Sequence, residues 1–432
     1  MQIVDSHRLV RRFIELAPEK RRLFLDGLRA EGVDFPVLPI PSCEGLADRD
    51  TASYAQRRMW FLWQLDPQSA AYNLPMAVHL RGKLDRDALQ SAFDALLERH
   101  EALRTVFRQS ADGSPKPVPC SQPVLIQWEK LAHVVSKERM RRARKEAELH
   151  ALRPFNLEAG PLLHVKVLQF SRQEHVLLLC LHHICADGWS LNVLIDEFSR
   201  LYDAYALGET PQLPKLSIQY RDYALWQRCW LEAGEMERQL AYWQERLHGD
   251  TPDLELPLDR PRPALPVQRG ARCSFNLDPL LLPRLRALAN AHDATLFMVL
   301  LAAFKILLFR YTGQTDIAVG VPVANRGRVE IEPLIGCFIN TQVLRTSLNP
   351  RSSTVELIGQ VRDIALGAQS HQDLPFERLV ETLRIERSAG RNPLFQVMFN
   401  HQSGVADIHQ LQSRSGLLLS EIDWDHGTTQ FD

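Results

Sequence analysis

The chain contains no Cys-x-x-Cys pair, no Gly-x-Gly-x-x-Gly turn, no Gly-x-x-x-x-Gly-Lys-[Ser/Thr] loop and no Gly-x-Ser-x-Gly elbow. Their absence removes a paired-cysteine zinc or redox site, the two common phosphate-cradling loops and a hydrolase nucleophile turn. Neither charge is in excess. Lys and Arg total 51 against 52 for Asp and Glu, a formal net charge of −1, so the basic footprint of a nucleic-acid binder is missing. The 7 cysteines (43, 120, 180, 185, 229, 273 and 337) are odd in number and scattered, several of them in apolar runs. They suggest no disulfide framework, and a reducing, cytoplasmic setting is expected. Met1–Phe13 has no signal-like apolar core. The longest apolar stretch, Ala294–Phe309, is interrupted by Lys305 and falls short of the ~18–20 residues of a membrane span. It reads as a buried helix.

What remains is an ordinary globular composition, 45% hydrophobic and 24% charged over 432 residues. That length exceeds what one core usually serves, so two lobes are expected. Residues 1–45 read as a helical linker: two short amphipathic patterns, Ser6–Leu16 and Glu19–Arg29, then the proline-rich Phe35–Pro41. So short a piece holds little core of its own. Residues 46–255 and 256–432 are expected as the two lobes, with the five-proline stretch Pro252–Pro266 as an extended crossing.

Helical periodicity marks Asp85–Arg99, Trp189–Leu207, Trp226–Leu247, Pro279–Ala291, Thr295–Tyr311, Thr354–Ser370 and Phe376–Leu383. Strands are expected at Leu162–Phe170, Val176–Leu181, Asp316–Val323, Phe338–Thr346, Leu394–Phe399 and Leu417–Trp424. The mixture in both halves predicts two α/β lobes of similar build.

The run Val176–Leu181 ends in His182-His183-Ile184-Cys185-Ala186-Asp187-Gly188. A buried strand that delivers imidazoles, a carboxylate and a glycine into a loop has the layout of a catalytic loop on a rigid scaffold. Neighbouring strand residues face opposite ways, so one imidazole is free for chemistry and the other packs. His183 is the candidate base, since histidine titrates near ambient pH without tuning. His182 is expected to pack inward. Metal ligation competes poorly, because adjacent strand histidines do not chelate one ion easily. Asp187 is either an orienter or half of a buried ion pair, with Arg104 and Arg345 as candidate cations. Gly188 lets backbone approach a substrate and offer its N–H.

These residues resemble the condensation domains of non-ribosomal peptide synthetases. Ser53–Leu62, Arg99–Phe107, His182–Ser190 and Tyr220–Trp226 look like the family's first four signatures. Ile335–Gln342 followed by Arg345, His371–Glu377 and Arg391–Gln396 look like the last three, in the family's order. The resemblance implies an α/β (α+β) architecture of two chloramphenicol-acetyltransferase-like lobes in a V, with a tunnel and the catalytic loop at their junction. It further implies that His183 and Gly188 are catalytic and that Asp187 pairs with Arg345, His182 being structural. Trp189, Ser190, Asn340, Gln342 and Arg104 become substrate or tunnel candidates.

By the same resemblance the reaction is peptide-bond formation between thioesters held on donor and acceptor carrier proteins, beside an adenylation domain. The phosphopantetheine arms belong to those carriers. The chain has no carrier-type Gly-Gly-x-Ser attachment site, so no covalent cofactor is expected. The intact histidines exclude the heterocyclising subtype, and the first signature looks like the subtype accepting an L-configured donor. A stand-alone acyltransferase using coenzyme A thioesters and a non-catalytic recruitment domain are the alternatives.

Overall fold

In the computed structural model, residues 3–46, 50–249, 253–260, 270–383, 392–402 and 411–424 are described. A helical hairpin comes first, α1 (Ile3–Glu15) and α2 (Pro18–Ala30), with Pro18 opening the second helix where its missing N–H costs nothing. Helix α3 (Tyr54–Leu65) starts at a reciprocal cap between Ser53 and Gln56. There follow β1 (Asn73–Arg81), α4 (Arg86–Arg99), the ribbon β2 (Thr105–Gln109) and β3 (Pro115–Pro119), β4 (Gln127–Lys130), and α5 (Ser136–Ala151). Strands β5 (Leu163–Gln169) and β6 (Glu174–His182) lead to α6 (Gly188–Ala206) and α7 (Tyr220–Trp230). The remaining elements are α8 (Met236–Arg246), α9 (Leu281–Ala291), α10 (Leu296–Thr312), β7 (Asp316–Val323), β8 (Asn340–Ser347), α11 (Thr354–Gln369), α12 (Phe376–Leu383), β9 (Leu411–Gln412) and β10 (Leu418–Glu421).

These elements form two compact units. The first comprises Met1–Gly234, Arg326–Phe338 and Gly404–His426; the second comprises Glu235–Asn325, Ile339–Ser403 and Gly427–Asp432. The helical hairpin therefore belongs to the first unit. Val10, Phe13, Leu25, Phe35 and Ile40 are buried there, and the Phe13 and Phe35 rings meet at 4.6 Å. The expected lobe boundary near residue 255 lies within the second unit. The helix expected over Trp226–Leu247 is two helices, broken at Leu231–Glu235, where Gly234 takes φ 107°.

The first unit is built on one mixed sheet with strand order β4-β5-β6-β1-β10-β9. Only the β4–β5 pair is parallel. Strand β6 lies between β5 and β1 and is buried from His175 to His182, as a continuous apolar run requires. The expected strand at Leu417–Trp424 shortens to β10 and pairs with β1, so it completes the first unit's sheet.

In the second unit β7 and β8 form an antiparallel ribbon. The expected strand at Leu394–Phe399 is reduced to a single bridge, Gly320 to Met398. Gly320 is needed there, since a Cβ at that position would lie 2.3 Å from the Phe395 ring. Pro252 and Pro261 to Pro266 of the expected crossing, and Arg391 of the last signature, lie outside the described residues.

The apolar stretch around Lys305 is α10, whose Leu301, Ala302 and Leu308 pack into the second unit's core. Among the described residues no single helix is long and apolar enough to cross a membrane. Lys305 itself is 0% exposed. Its ammonium donates to the Leu344 carbonyl of β8 at 2.5 Å and the Ile317 carbonyl of β7 at 3.3 Å. Burial pulls its pKa down to about 7, against a smaller upward pull from Asp316.

The unfolded chain keeps this proton up to about pH 10.4, so between about pH 7 and 10 it binds a proton the folded protein has lost. Stability from this group therefore rises with pH across that window and is lost below it. Lys305→Met is expected to flatten the rise, as checked by denaturant titrations at about pH 7 and about pH 9.

Candidate active site

Strand β6 ends at His182, and the chain turns through Ile184–Ala186 into α6, so the motif sits at a strand-to-helix corner. Both histidine amides are held by neighbouring backbone, His182 N–H by Leu162 O and His183 N–H by Tyr72 O. The two rings meet different surroundings. His182 is buried edge-on to Phe155, and its Nδ1 accepts from the Ile184 N–H at 3.1 Å. Burial, then the neighbouring His183, pulls its pKa down to about 3, so it is neutral.

His183 is half-buried, with Nδ1 3.9 Å from the Cys337 Sγ. Burial lowers its pKa below the ordinary value. The Asp187 carboxylate and hydrogen bonds to the backbone of His183 and Ala186 oppose that shift, and Arg58 adds to it. The ring is accordingly an unprotonated imidazole at neutral pH, able to accept a proton.

Asp187, 2% exposed, caps α6. Its Oδ1 accepts from Ser190 N–H at 2.8 Å, Ser190 Oγ at 2.7 Å and Arg326 Nη2 at 3.1 Å; its Oδ2 accepts from Phe338 N–H at 3.0 Å. Four donors, one of them a buried cation, meet the requirement of a buried carboxylate. The cation is Arg326, not Arg345. Arg345 instead grips Asp316 across the β7–β8 ribbon, with Nη2 to Oδ2 at 2.6 Å and Nε to Oδ1 at 3.0 Å. Its alternation on β8 places it opposite Ala318, one pleat from Asp316. Arg104 is spent on the Leu97 carbonyl at 3.1 Å and lies near Glu101, on a cavity of about 40 Å³ that Tyr220 and Arg221 also line.

The segment Arg326–Phe338, between β7 and β8, is wound around that guanidinium. Arg326 Nη1 donates to Leu334 O at 2.7 Å and Ile331 O at 2.8 Å, and the guanidinium lies 4.1 Å from the Phe338 ring centre. Tyr220 fastens the far end, its hydroxyl donating to Cys337 O at 2.5 Å and meeting Ser53 Oγ at 2.7 Å. A Cβ at Gly336 would sit 1.9 Å from the Tyr220 ring, so glycine is obligatory there. The first, third, fourth and fifth signatures thus converge on one polar network in the first unit.

Ser190, expected in a tunnel, is fully buried and serves this network. Besides donating to Asp187, its hydroxyl accepts from Arg326 Nη2 at 2.9 Å and Gly336 N–H at 3.1 Å. Asn340 spends its amide on Gln372 O, Leu374 O and Phe376 N–H, and Gln342 donates to Ala368 O, all within the second unit. Trp189 is 44% exposed and donates its indole N–H to Glu332 O at 3.0 Å. Gly188 is exposed at the first turn of α6, and an added Cβ would meet nothing within 4 Å. Space therefore does not demand glycine there, unlike at 336. Arg326, Tyr220, Arg58 and Gly336 were not among the expected site residues. Nothing local in Asn325-Arg326-Gly327-Arg328 singles out Arg326 as the buried cation.

The family model for the condensation domain matches residues 47–432. One of the linear gramicidin synthase polypeptides of Brevibacillus parabrevis is 46% identical over 380 residues, 87% of this chain and 5% of that protein. The chain spans 5% to 7% of the lengths of three such gramicidin synthase polypeptides. Among solved structures, the X-domain from teicoplanin biosynthesis superposes with a TM-score of 0.80 at 27% identity, covering 91% of this chain and 86% of that one. The first condensation domain of the calcium-dependent antibiotic synthetase shares the fold, with a TM-score of 0.70 at 21% identity over 88% of this chain and 85% of that one.

Removing the charge at 187 leaves Arg326 buried and unpaired, a loss of about 3–5 kcal/mol. Asp187→Asn also turns an amide toward donors. Urea denaturation is expected to report that loss for Asp187→Asn, while Gly188→Ala stays within about 0.5 kcal/mol of the parent.

Proposed function

Because the chain belongs to the condensation-domain family of non-ribosomal peptide synthetases, we propose that it forms an amide bond between two thioester-bound building blocks. The donor is an acyl or peptidyl thioester and the acceptor an aminoacyl thioester. Each arrives on the phosphopantetheine arm of its own carrier domain, beside an adenylation domain that loads the acceptor. The first signature, Ser53–Leu62, supports an L-configured donor residue. The odd number and scattered spacing of the 7 cysteines support a reducing, cytoplasmic setting.

The observation that carries this reading is a neutral, half-buried His183 beside an Asp187 held by four structural donors. The four donors on Asp187 are all structural, which leaves the imidazole as the group this reading assigns to the reaction. The acceptor's amine attacks the donor carbonyl carbon, its proton passes to His183, and the C–S bond breaks. The proton then leaves on the released thiol. An α-amine titrates near 7.7–8.0, so freeing its lone pair at neutral pH costs only about 1 kcal/mol. Alignment is the larger demand, worth about 7–11 kcal/mol when two tethered reactants are held in register. His183 positions the amine and accepts its proton as the tetrahedral centre forms. The N–H of Gly188, an exposed residue at the positive end of α6, assists the developing oxyanion in this reading.

The likeness to the X-domain, also solved as a complex with OxyB, favours recruitment of a partner protein as the second reading. Single-turnover transfer between preloaded carriers separates the two. His183→Ala is expected to slow transfer by about 10²-fold or more, and His183→Gln, which keeps an acceptor but no basic nitrogen, to fall between. Near-parental rates in both variants would remove His183 from the reaction. Coenzyme A thioesters should be poor donors beside carrier-bound ones. Because burial lowers the His183 pKa, the acid limb of the rate profile is expected below about pH 6.5 and a second rise near about pH 7.7–8.0, where the amine ionises.

A further inference from the structure

Residues 35–43 precede the region matched by the family model, yet they lie as a strap, one 3-10 turn at Phe35–Val37 followed by irregular chain, against the segment that holds Asp187. Arg328, two residues beyond Arg326, donates to Leu38 O at 2.7 Å and to Pro36 O, and lies 4.3 Å from the Trp226 ring centre. Glu330 accepts from Ile40 N–H at 2.9 Å and pairs with Arg328 at 3.3 Å. Asp222 accepts from Cys43 N–H at 3.0 Å, which ties the strap's end to α7. The hairpin anchors its start, with Phe35 against Phe13 and Arg11 donating to Ser42 O and Glu44 O.

We propose that this strap is a positioning element of the active site, read by Arg328 and Glu330. The inference rests on the condensation reading. A short loop centred on a buried cation has several ways to wrap it. Backbone carbonyls 36 and 38 and the amide of Ile40 select one register by hydrogen bonds to Arg328 and Glu330. That register delivers the Phe338 N–H and the Arg326 guanidinium to Asp187, and Asp187 in turn fixes the corner carrying His183. Neither Arg328 nor Glu330 touches the catalytic imidazole. They act through the loop.

The test uses the full chain, comparing Arg328→Met and Glu330→Ala with the conservative Arg328→Lys and Glu330→Gln. Hydrogen exchange of the 335–338 amides reads the loop without reference to activity, and single-turnover transfer with saturating carriers reads its consequence. Arg328→Met and Glu330→Ala are expected to speed exchange at 335–338 and to slow transfer about tenfold, with the KM for carriers unchanged. The Lys and Gln variants, each keeping one hydrogen bond to the strap, should recover part of both. Parental exchange at 335–338 in Arg328→Met and Glu330→Ala overturns the proposal, and so does faster exchange with parental transfer. If the unaltered chain transfers nothing, the condensation reading fails, while exchange still decides whether the strap sets the loop.

Discussion

A carboxylate taken out of water must find a cation and enough donors, and at Asp187 that requirement organises the first unit. The side chain caps α6, draws Ser190 inward, receives the Phe338 amide and holds the Arg326 guanidinium. Each of these partners comes with further obligations. Arg326 needs carbonyls, so Arg326–Phe338 winds around it; Cys337 O needs a donor, so Tyr220 reaches in; Tyr220 needs room, so residue 336 is glycine. The network costs desolvation energy and returns geometry, which is the trade expected when a site needs one arrangement rather than maximal stability.

The two histidines show how burial divides labour between identical side chains. His182 loses its proton-binding capacity to depth, its Nδ1 occupied by a backbone amide. His183, half-buried, keeps an imidazole that is neutral for less extreme reasons, because Asp187 and nearby carbonyls partly offset desolvation. A further pair behind them, His150 and His164, is held neutral by burial with pKa values of about 4. His182, His150 and His164 are thus all held neutral by depth, and His183 is the less buried ring of the motif.

Much of the fold was legible because periodicity and capping agree in the elements that matter. Asp316–Val323 and Phe376–Leu383 end where the pattern ends, and α10 begins at Thr295 as a cap residue should. Strands β1 to β4 escaped because their alternation is short or interrupted by proline, as in Pro115–Pro119. The motif's place at a strand-to-helix corner followed from its residues. The partner of Asp187 did not, since pairing across more than a hundred residues is set by tertiary path and leaves no local trace. The sequence offers Arg104 and Arg345 as cations and gives no sign of Arg326. What separates Arg345 from Arg326 is that Arg345 meets Asp316 across its own ribbon, whereas Arg326 opens a loop that folds back onto α6.

The hairpin and strap, with Val10, Phe13, Phe35 and Ile40 buried, change where this domain can be cut and rejoined. A fusion point at residue 47, the edge of the family match, would remove the buried side chains of Val10, Phe13, Leu25, Phe35 and Ile40 from the first unit. It would also strand a guanidinium that had been satisfied by main-chain oxygens. Fusions made at that seam would lose these packed side chains and the main-chain partners of Arg328. Seams placed upstream of α1 would lose neither.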